Sequence, residues 1–280
     1  MIEIGLVGWS GHDTLYISKK NQLMDYCSHF PLVEIDTSFY GIPKKSTIKQ
    51  WVEQTPATFK FILKAFQGMT KHKEWSDFYE TEEEMFETYK QMLTGLLEAE
   101  KLKTILFQFP PFFACTVENV AYLKIIRKQL PKLPIAVEFR NPTWYQPAYQ
   151  EKMFQLLTEL QFSHVIVDQP QTPGNSVPLV PKVTIPQYTI VRLHGRNFEG
   201  WGQGKTQNWR ATRTLYCYQP EEIATFAQLA AELSKVCKEV IFIFNNNSGG
   251  DAAPNAKQLQ ESLAIQFEGL APRQLGLELF

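Results

Sequence analysis

The sequence has little of what marks a secreted, membrane or disordered protein. Four cysteines are scattered over 280 residues, without a Cys-x-x-Cys pair or a zinc-finger spacing. An acid, Glu3, stands where a signal peptide carries basic residues, and no apolar run approaches membrane-spanning length. We therefore expect reduced thiols, no membrane partner and a cytoplasmic location.

The chain also lacks an excess of charge of either sign. Its formal net charge is -1, so a nucleic acid or an anionic lipid would have to be held by a local patch. Hydrophobic residues are abundant, at 44% of the chain, and charged residues make up 20%. This composition is typical of a globular protein with a large core.

Short β-branched and aromatic runs alternate with amphipathic stretches, which predicts βα units around a parallel sheet. Eight strands are predicted at residues 3–8, 32–36, 59–64, 104–109, 135–140, 164–168, 188–194 and 240–245. Eight parallel strands close a barrel, so we predict a TIM-type (β/α)8 barrel formed by residues 1–280 as a single domain.

The crossovers between these strands carry the predicted helices. Residues 81–100 show the strongest helical spacing, with acids in the first turns. Other helices are predicted near Leu23, Thr47, Val120, Met153, Ile223 and Leu259. Residues 169–187, the sixth crossover, hold five prolines, so an irregular loop is expected there.

Each predicted strand after the first ends in polar side chains. Alternate residues of a strand share a face, so Leu32, Glu34 and Asp36 form one row that is apolar first and polar last. The other rows end in Lys64, Gln108, Glu138 with Arg140, Asp168, Arg192 with His194, and Asn245. Parallel strands bring these ends to one mouth of the barrel, where such barrels keep active sites.

Acid–base catalysis is predicted for Glu34, Glu138 and His194, because carboxylates and imidazoles transfer protons near neutral pH. Lys64, Arg140 and Arg192 would neutralise developing charge. The remaining predicted substrate-binding residues from this pattern are Asp36, Gln108, Asp168, Asn245 and Asn247. The alternative is structural: ion pairs such as Glu138 with Arg140, or Glu34 with Lys64, would only seal the barrel end.

Two segments near the last strands suit a phosphate group. The turn at 245–251, which contains Asn245, Asn247 and two glycines, can offer backbone N–H groups and a helix N-terminus to an anion, or can be a plain turn. Segment 192–218 interleaves basic and aromatic residues: Arg192, Arg196, Lys205, Arg210, Arg213, Trp201, Trp209, Tyr216 and Tyr218. Such a mixture suits phosphates with stacked bases or sugars, although core aromatics beside a solvated loop fit equally.

No cofactor is predicted, and a divalent metal remains an alternative. The carboxylates at the mouth, with His194, could form a site of oxygen and nitrogen ligands, but Lys64, Arg140 and Arg192 would compete for them. His-Glu-x-x-His, Gly-x-Ser-x-Gly and EF-hand motifs are absent from the sequence.

Several motifs along nearly the whole chain match one family. They are Gly8-Trp9-Ser10, the run from Glu34 to Tyr40 with Pro43, Lys64-Ala65, Phe107 to Pro111, Glu138-Phe139-Arg140 with Trp144, Arg192 to Gly195, and Asn245 to Asn247 before Ala252, Ala253 and Pro254. By these residues the chain resembles the YecE-like family, also called domain of unknown function 72. The resemblance implies a TIM-type barrel without an established activity, and it adds Tyr40 and Trp144 to the expected substrate contacts.

The chain departs from the family pattern in two places. Asp36 stands where the family usually has Asn, which adds a negative charge to the mouth. Thr70-Lys71-His72 separates what is usually an adjacent Thr-His pair, which puts the role of His72 in doubt. The family is also similar in architecture to barrels of the endonuclease-IV and xylose-isomerase types.

Three functions follow as hypotheses from these residues. The first is an acid–base hydrolase acting on a phosphorylated or nucleic-acid-derived substrate. The second is a nucleic-acid-binding protein without enzymatic activity, which would use residues 196–213. The third is a metal-dependent sugar-phosphate isomerase. The expected partner is thus a phosphorylated small molecule or a nucleic acid.

Overall fold

Strand pairing closes the sheet on itself in the computed structural model, which describes residues 1–16, 20–174, 176–202 and 209–273. The strands are β1 Ile2–Val7, β2 Leu32–Ile35, β3 Lys60–Lys64, β4 Leu102–Gln108, β5 Ile135–Glu138, β6 Phe162–Asp168, β7 Tyr188–Leu193 and β8 Glu239–Phe244. Each strand pairs in parallel with the next, and β1 pairs with β8 from Ile2 opposite Val240 to Leu6 opposite Phe244. The predicted (β/α)8 barrel is confirmed.

Helices lie outside the barrel, and the longer ones are at the predicted places. In the described residues they are α1 Gln22–Cys27, α2 Thr37–Tyr40, α3 Lys45–Glu53, α4 Glu82–Glu98, α5 Val117–Gln129, α6 Gln150–Glu159, α7 Phe198–Gly202, α8 Trp209–Thr212, α9 Pro220–Ser234 and α10 Ala252–Ser262. The proline-rich crossover between β6 and β7 carries no helix in its described residues, as expected. Among the helices described, none has the length and apolarity to cross a lipid bilayer.

The register shows which rows point into the barrel. Glu34 of β2 contacts Arg192 of β7, and because these strands are not neighbours, both side chains must lie inside. Residues that are in register on neighbouring strands share a face, so the inward rows can be followed around the barrel. They hold Leu32, Ile62, Leu106, Ala136, Val165, Ile190 and Ile241, all buried. An apolar interior layer therefore supports the polar strand ends above it.

Helix α4 begins with a side-chain cap. Thr81 Oγ1 accepts a hydrogen bond from the backbone N–H of Glu84 at 3.1 Å, and the Glu84 carboxylate accepts from the N–H of Glu80 at 3.0 Å. Replacing Thr81 with Ala is expected to lower the free energy of unfolding by about 1 kcal/mol, because an N–H of the first turn loses its acceptor. Thr81→Ser, which keeps the hydroxyl, is the control. Urea unfolding in which the two variants have equal midpoints would contradict the prediction.

Candidate functional site

Arg192 occupies the centre of the barrel mouth. Its Nε donates to Glu34 Oε2 at 2.8 Å and its Nη2 to Glu34 Oε1 at 2.6 Å, which is a bidentate pair. Nη1 donates to Glu138 and, at 3.1 Å, to Gln108 Oε1. Both glutamates are fully buried and Arg192 is 1% exposed. This one guanidinium therefore joins β2, β4 and β5 to β7.

Arg140 extends the arrangement beyond the end of β5. Its Nε donates to Glu138 Oε1, and its Nη1 donates to Gln169 Oε1 at 3.2 Å. We refer to Glu34, Glu138, Arg140 and Arg192 as the charge cluster. Two carboxylates and two guanidinium groups balance each other there, which is how buried charges are tolerated in a protein interior.

His194 is fully buried beside the charge cluster. Its Nε2 lies 3.0 Å from Arg140 Nη2 and 3.4 Å from Glu138 Oε1. Its Nδ1 lies 2.8 Å from Asn245 Nδ2. Burial, with Arg140 adding to it, holds the pKa of His194 well below its ordinary value. His194 is thus a neutral imidazole with both nitrogens engaged.

The pKa values of the two buried glutamates are shifted in opposite directions. Burial raises the pKa of Glu34, and Arg192 with Lys64 only partly offsets that effect. Burial also acts on Glu138, but Arg140 and Arg192 outweigh it and hold the pKa of Glu138 well below its ordinary value. Glu138, with two arginine partners, is the more firmly ionised carboxylate of the pair.

Of the two ion pairs predicted from sequence, only one forms. Glu138 pairs with Arg140 as expected, but the predicted pair of Glu34 with Lys64 is wrong. Lys64 Nζ instead lies 2.7 Å from Asp36 Oδ1 and 4.6 Å from the centre of the Phe39 ring. The long side chain of Arg192 crosses the barrel and occupies both oxygens of Glu34.

Asp168 does not belong to the inward row predicted for it. In the β6–β7 register Asp168 lies opposite Leu193, while Val167 lies opposite the inward residue Arg192. Its carboxylate instead accepts from Arg196, at 2.7 Å from Nη2, and from the Tyr218 hydroxyl at 2.7 Å. The sequence assignment was wrong because Ile166 in one row and Val165 and Val167 in the other are equally apolar, so alternation could not tell inside from outside.

Two residues expected from the family resemblance lie away from the charge cluster. Trp144 is fully buried and stacks on Phe139 at 4.1 Å between ring centres, and its indole N–H donates to the Phe113 carbonyl at 2.7 Å. This arrangement fits packing rather than substrate contact. Tyr40 is 55% exposed at the rim and packs edge-on against Phe39.

The turn after β8 uses its asparagines to hold loops together. Asn246 Nδ2 donates to the Tyr216 carbonyl at 2.9 Å and to Asn255 Oδ1 at 2.8 Å. Asn247 Nδ2 donates to the Gly11 carbonyl at 3.0 Å. These bonds tie the turn to the loops after β1 and β7, so the asparagine side chains serve the scaffold of the mouth.

The basic and aromatic segment after β7 folds back onto the mouth where it is described. The Trp201 ring centre lies 5.2 Å from Arg140 and 5.4 Å from Arg213. Arg196 pairs with both Asp168 and Glu222. Lys205 lies outside the described residues, as do the side chains of Trp209 and Arg210. In the described residues, therefore, this segment covers the charge cluster instead of presenting an open basic stripe.

A second histidine, which sequence reasoning left without a role, lies at the same mouth. His72 follows β3 in the connection to α4, and its ring packs edge-on against Phe39 at 4.8 Å. Its Nδ1 lies 2.8 Å from Thr70 Oγ1. Burial, Lys64 and Arg140 together lower the pKa of His72 to about 4. Its position after a strand end was the signal that could have identified it.

The carboxylates at the mouth do not form a metal site. Among the described residues, no three His, Cys, Asp or Glu side chains are grouped so that they could hold a metal ion. Glu34, Asp36, Glu138 and Asp168 are each paired with Lys or Arg. In this geometry, therefore, a cationic side chain engages each of these four carboxylates.

Comparison with known proteins places this barrel in a family. The family model described as "Protein of unknown function DUF72" matches residues 3–276. The chain belongs to the DUF72 family. Its resemblance to YecE-like proteins is thereby confirmed.

Individual relatives of this DUF72 chain cover it to different extents. It is 46% identical over 283 residues to the UPF0759 protein YunF of Bacillus subtilis strain 168, a match that covers 99% of this chain and all of YunF. It is 39% identical over 73 residues to the UPF0759 protein YecE of Escherichia coli K12, 26% of each chain. The UPF0759 relatives thus include one similar along the full length.

Solved DUF72 structures have the same fold. The structure of a family member from Enterococcus faecalis V583 at 3.10 Å resolution superposes with a TM-score of 0.94 at 46% identity, covering 98% of this chain and all of that one. One from Thermotoga maritima MSB8 at 2.20 Å resolution gives 0.80 at 30% identity, covering 95% of this chain and all of that one.

Proposed function

We propose that this DUF72 protein is a hydrolase that acts on a phosphorylated substrate at the carboxyl-end mouth of the barrel. The observation that carries the proposal is the convergence of cations there. Lys64 comes from β3, Arg140 follows β5, Arg192 comes from β7, and Arg213 lies in the connection from β7 to β8. A phosphate group, with two negative charges and several acceptor oxygens, is the chemistry that such a set recognises.

The cations act on one another, which supports a place for an anion. Burial and the nearby Arg140 lower the pKa of Arg213 to about 10. Burial also lowers the pKa of Arg140. The charge of Arg192 adds to this effect, whereas Glu138 acts in the opposite direction. Like charges held together in a site of low dielectric are stabilised when an anion binds between them. The partly exposed Gln108, His72 and Arg213 mark where such an anion can enter.

In the proposed reaction, water attacks phosphorus and the bond from phosphorus to the alcohol oxygen breaks. The water gives up a proton to a base, and the departing oxygen takes a proton from solvent. Lys64, Arg140 and Arg213 would neutralise the charge that develops on the phosphoryl oxygens. Glu34, Glu138 and His194, predicted from sequence as acid–base groups, are already bound to Arg192, Arg140 and Asn245, so we assign them to positioning the guanidinium groups.

The other two hypotheses have less support from the described residues. Binding of nucleic acid by residues 196–213 would need basic side chains that are open to solvent, but Arg196 is paired with two carboxylates. A metal-dependent isomerase would need a group of ligands, and the described carboxylates are engaged by cations instead.

Substitution of Arg213 tests the proposal. Wild-type protein is expected to gain thermal stability with inorganic phosphate, by about 2.7 kcal/mol at a hundredfold excess over Kd. It is also expected to release phosphate from at least one member of a panel of sugar phosphates, nucleotides and phosphodiesters. Arg213→Gln should lose at least about tenfold in phosphate affinity, since one charge-assisted contact contributes 1.5–3 kcal/mol.

Lys235→Gln is the matched control, because Lys235 is an exposed cation that follows α9, pairs with Glu232 and lies near the start of β8, at the opposite end of the barrel from the mouth. This control should bind phosphate as the wild type does. If phosphate leaves the stability of the wild type unchanged and no ester of the panel is hydrolysed, the proposed function is wrong.

A further inference from the structure

We propose that His72, oriented by Thr70, is the base that takes the proton from the attacking water at this mouth. The inference rests on the proposed hydrolase function and supplies the group that function still needs. His72 would then be a catalytic residue, and Thr70 a positioning residue that acts through it.

Packing places His72 beside the cations that would hold the phosphate. Phe39 of α2 is the common neighbour: its ring centre lies 4.8 Å from that of His72 and 4.6 Å from Lys64 Nζ. The backbone N–H of His72 donates to the Gln67 carbonyl at 3.1 Å, and the N–H of Gln67 donates to the Phe39 carbonyl at 2.9 Å. The loop after β3 is thereby fixed to α2, and the imidazole is held at the rim next to Lys64.

The hydrogen bonds of Thr70 decide which nitrogen of His72 is basic. A threonine hydroxyl has one proton, and that of Thr70 is donated to the Gln67 carbonyl at 3.3 Å. With its proton placed there, the Thr70 oxygen accepts from His72 Nδ1, 2.8 Å away, and this is the tautomer that we propose. The ring proton is on Nδ1, which leaves Nε2 as the nitrogen with a lone pair. An orienting group on one imidazole nitrogen and a basic lone pair on the other is the arrangement that general bases use.

His194 cannot take this role in the same geometry. It is fully buried, and Arg140 and Asn245 occupy its two nitrogens. His72 is only partly buried. Of these two histidines, His72 is thus the one that a substrate can reach.

Substrate binding would strengthen this base. The pKa of His72 is lowered to about 4 by burial and by the charges of Lys64 and Arg140, so the imidazole is neutral and ready to accept a proton at pH 7. A phosphate bound to those two cations offsets their charge, and its own negative charge favours the imidazolium. The proton moves from the attacking water to Nε2 as the oxygen–phosphorus bond forms, and it passes to solvent after the product leaves.

Nitrogen-15 NMR of the histidine side chains tests the inference without a known substrate. The chain has five histidines, so His72→Gln assigns the signal. His72 is expected to show the tautomer protonated on Nδ1, and saturating inorganic phosphate should raise its pKa by at least about one pH unit, as a charge within 4–6 Å does. His164, whose pKa is also lowered to about 4 but by burial away from the cations, is the control and should not shift.

Kinetics on any ester that the wild type hydrolyses give a second test. His72→Gln is expected to lower kcat by about 100-fold or more with little change in KM, since proton transfer contributes 10²–10⁴-fold. Thr70→Val should lower kcat and disturb the tautomer, and Thr70→Ser should restore both.

The outcomes separate the two proposals. Two results would overturn the role of His72 and leave the hydrolase proposal standing. One is a proton on His72 Nε2. The other is a His72 pKa that phosphate leaves unchanged, although phosphate still stabilises the wild type but not Arg213→Gln. Absence of any phosphate effect on the wild type would overturn both.

Discussion

Replacing Arg192 with methionine is expected to lower the free energy of unfolding by about 3–5 kcal/mol, the largest effect of any single substitution at the mouth. The guanidinium is the partner of two fully buried carboxylates, Glu34 and Glu138. Methionine fills a similar length but leaves both without this cation in a site that excludes water. Urea unfolding at pH 7 measures the loss.

Lys49→Met is the control for a surface ion pair, since Lys49 and Glu53 are 76% and 63% exposed and 3.8 Å apart, and it should change stability by less than about 0.5 kcal/mol. Adding Glu34→Gln to Arg192→Met should recover part of the loss, because one buried charge is removed. If Arg192→Met loses no more stability than Lys49→Met, the charge cluster does not stabilise the fold in the way proposed.

Glu138→Gln is expected to lose about 3 kcal/mol of stability at neutral pH as well as turnover, because Arg140 and Arg192 both lose a charged partner. The turnover loss would follow from displacement of the two guanidinium groups.

The stability difference between wild type and Glu138→Gln should depend on pH in one direction. The folded pKa of Glu138 lies below its ordinary value of 4.5, so its carboxylate stabilises the fold above that pH. The contribution disappears as the pH falls through the folded pKa. Urea midpoints of both proteins from pH 7 downward should therefore converge, whereas exposed Glu87→Gln should stay close to wild type throughout. A difference that widens toward low pH would contradict the assignment.

The fold was largely predictable because the barrel repeats one pattern. All eight strands and the longer helices lie where periodicity placed them, within a few residues at their ends. The short helices α2, α7 and α8 were missed, since four or five residues carry too little periodicity to be recognised. The prolines of the sixth crossover predicted an irregular loop there, and its described residues form no helix.

The site was predictable in its place but not in its pairing. Alternation brought Glu34, Gln108, Glu138 and Arg192 to one mouth, where they lie. It could not show that Arg192 would reach across the barrel to Glu34, because strand patterns contain no information about contacts between opposite strands. It also could not orient β6, because Val165, Ile166 and Val167 give both of its faces an apolar centre, and so it misplaced Asp168.

The pairing of β1 with β8 also sets a condition on how the protein is made. A ribosome delivers β1 first, but its second neighbour in the sheet becomes available only when the chain has been synthesised through residue 244. Glu34 likewise waits for Arg192, 158 residues later in the chain. Until then the nascent sheet has open edges and an exposed apolar face, the state that chaperones bind and that aggregates. A premature stop anywhere before β8 would leave an unclosed sheet in place of a smaller stable protein.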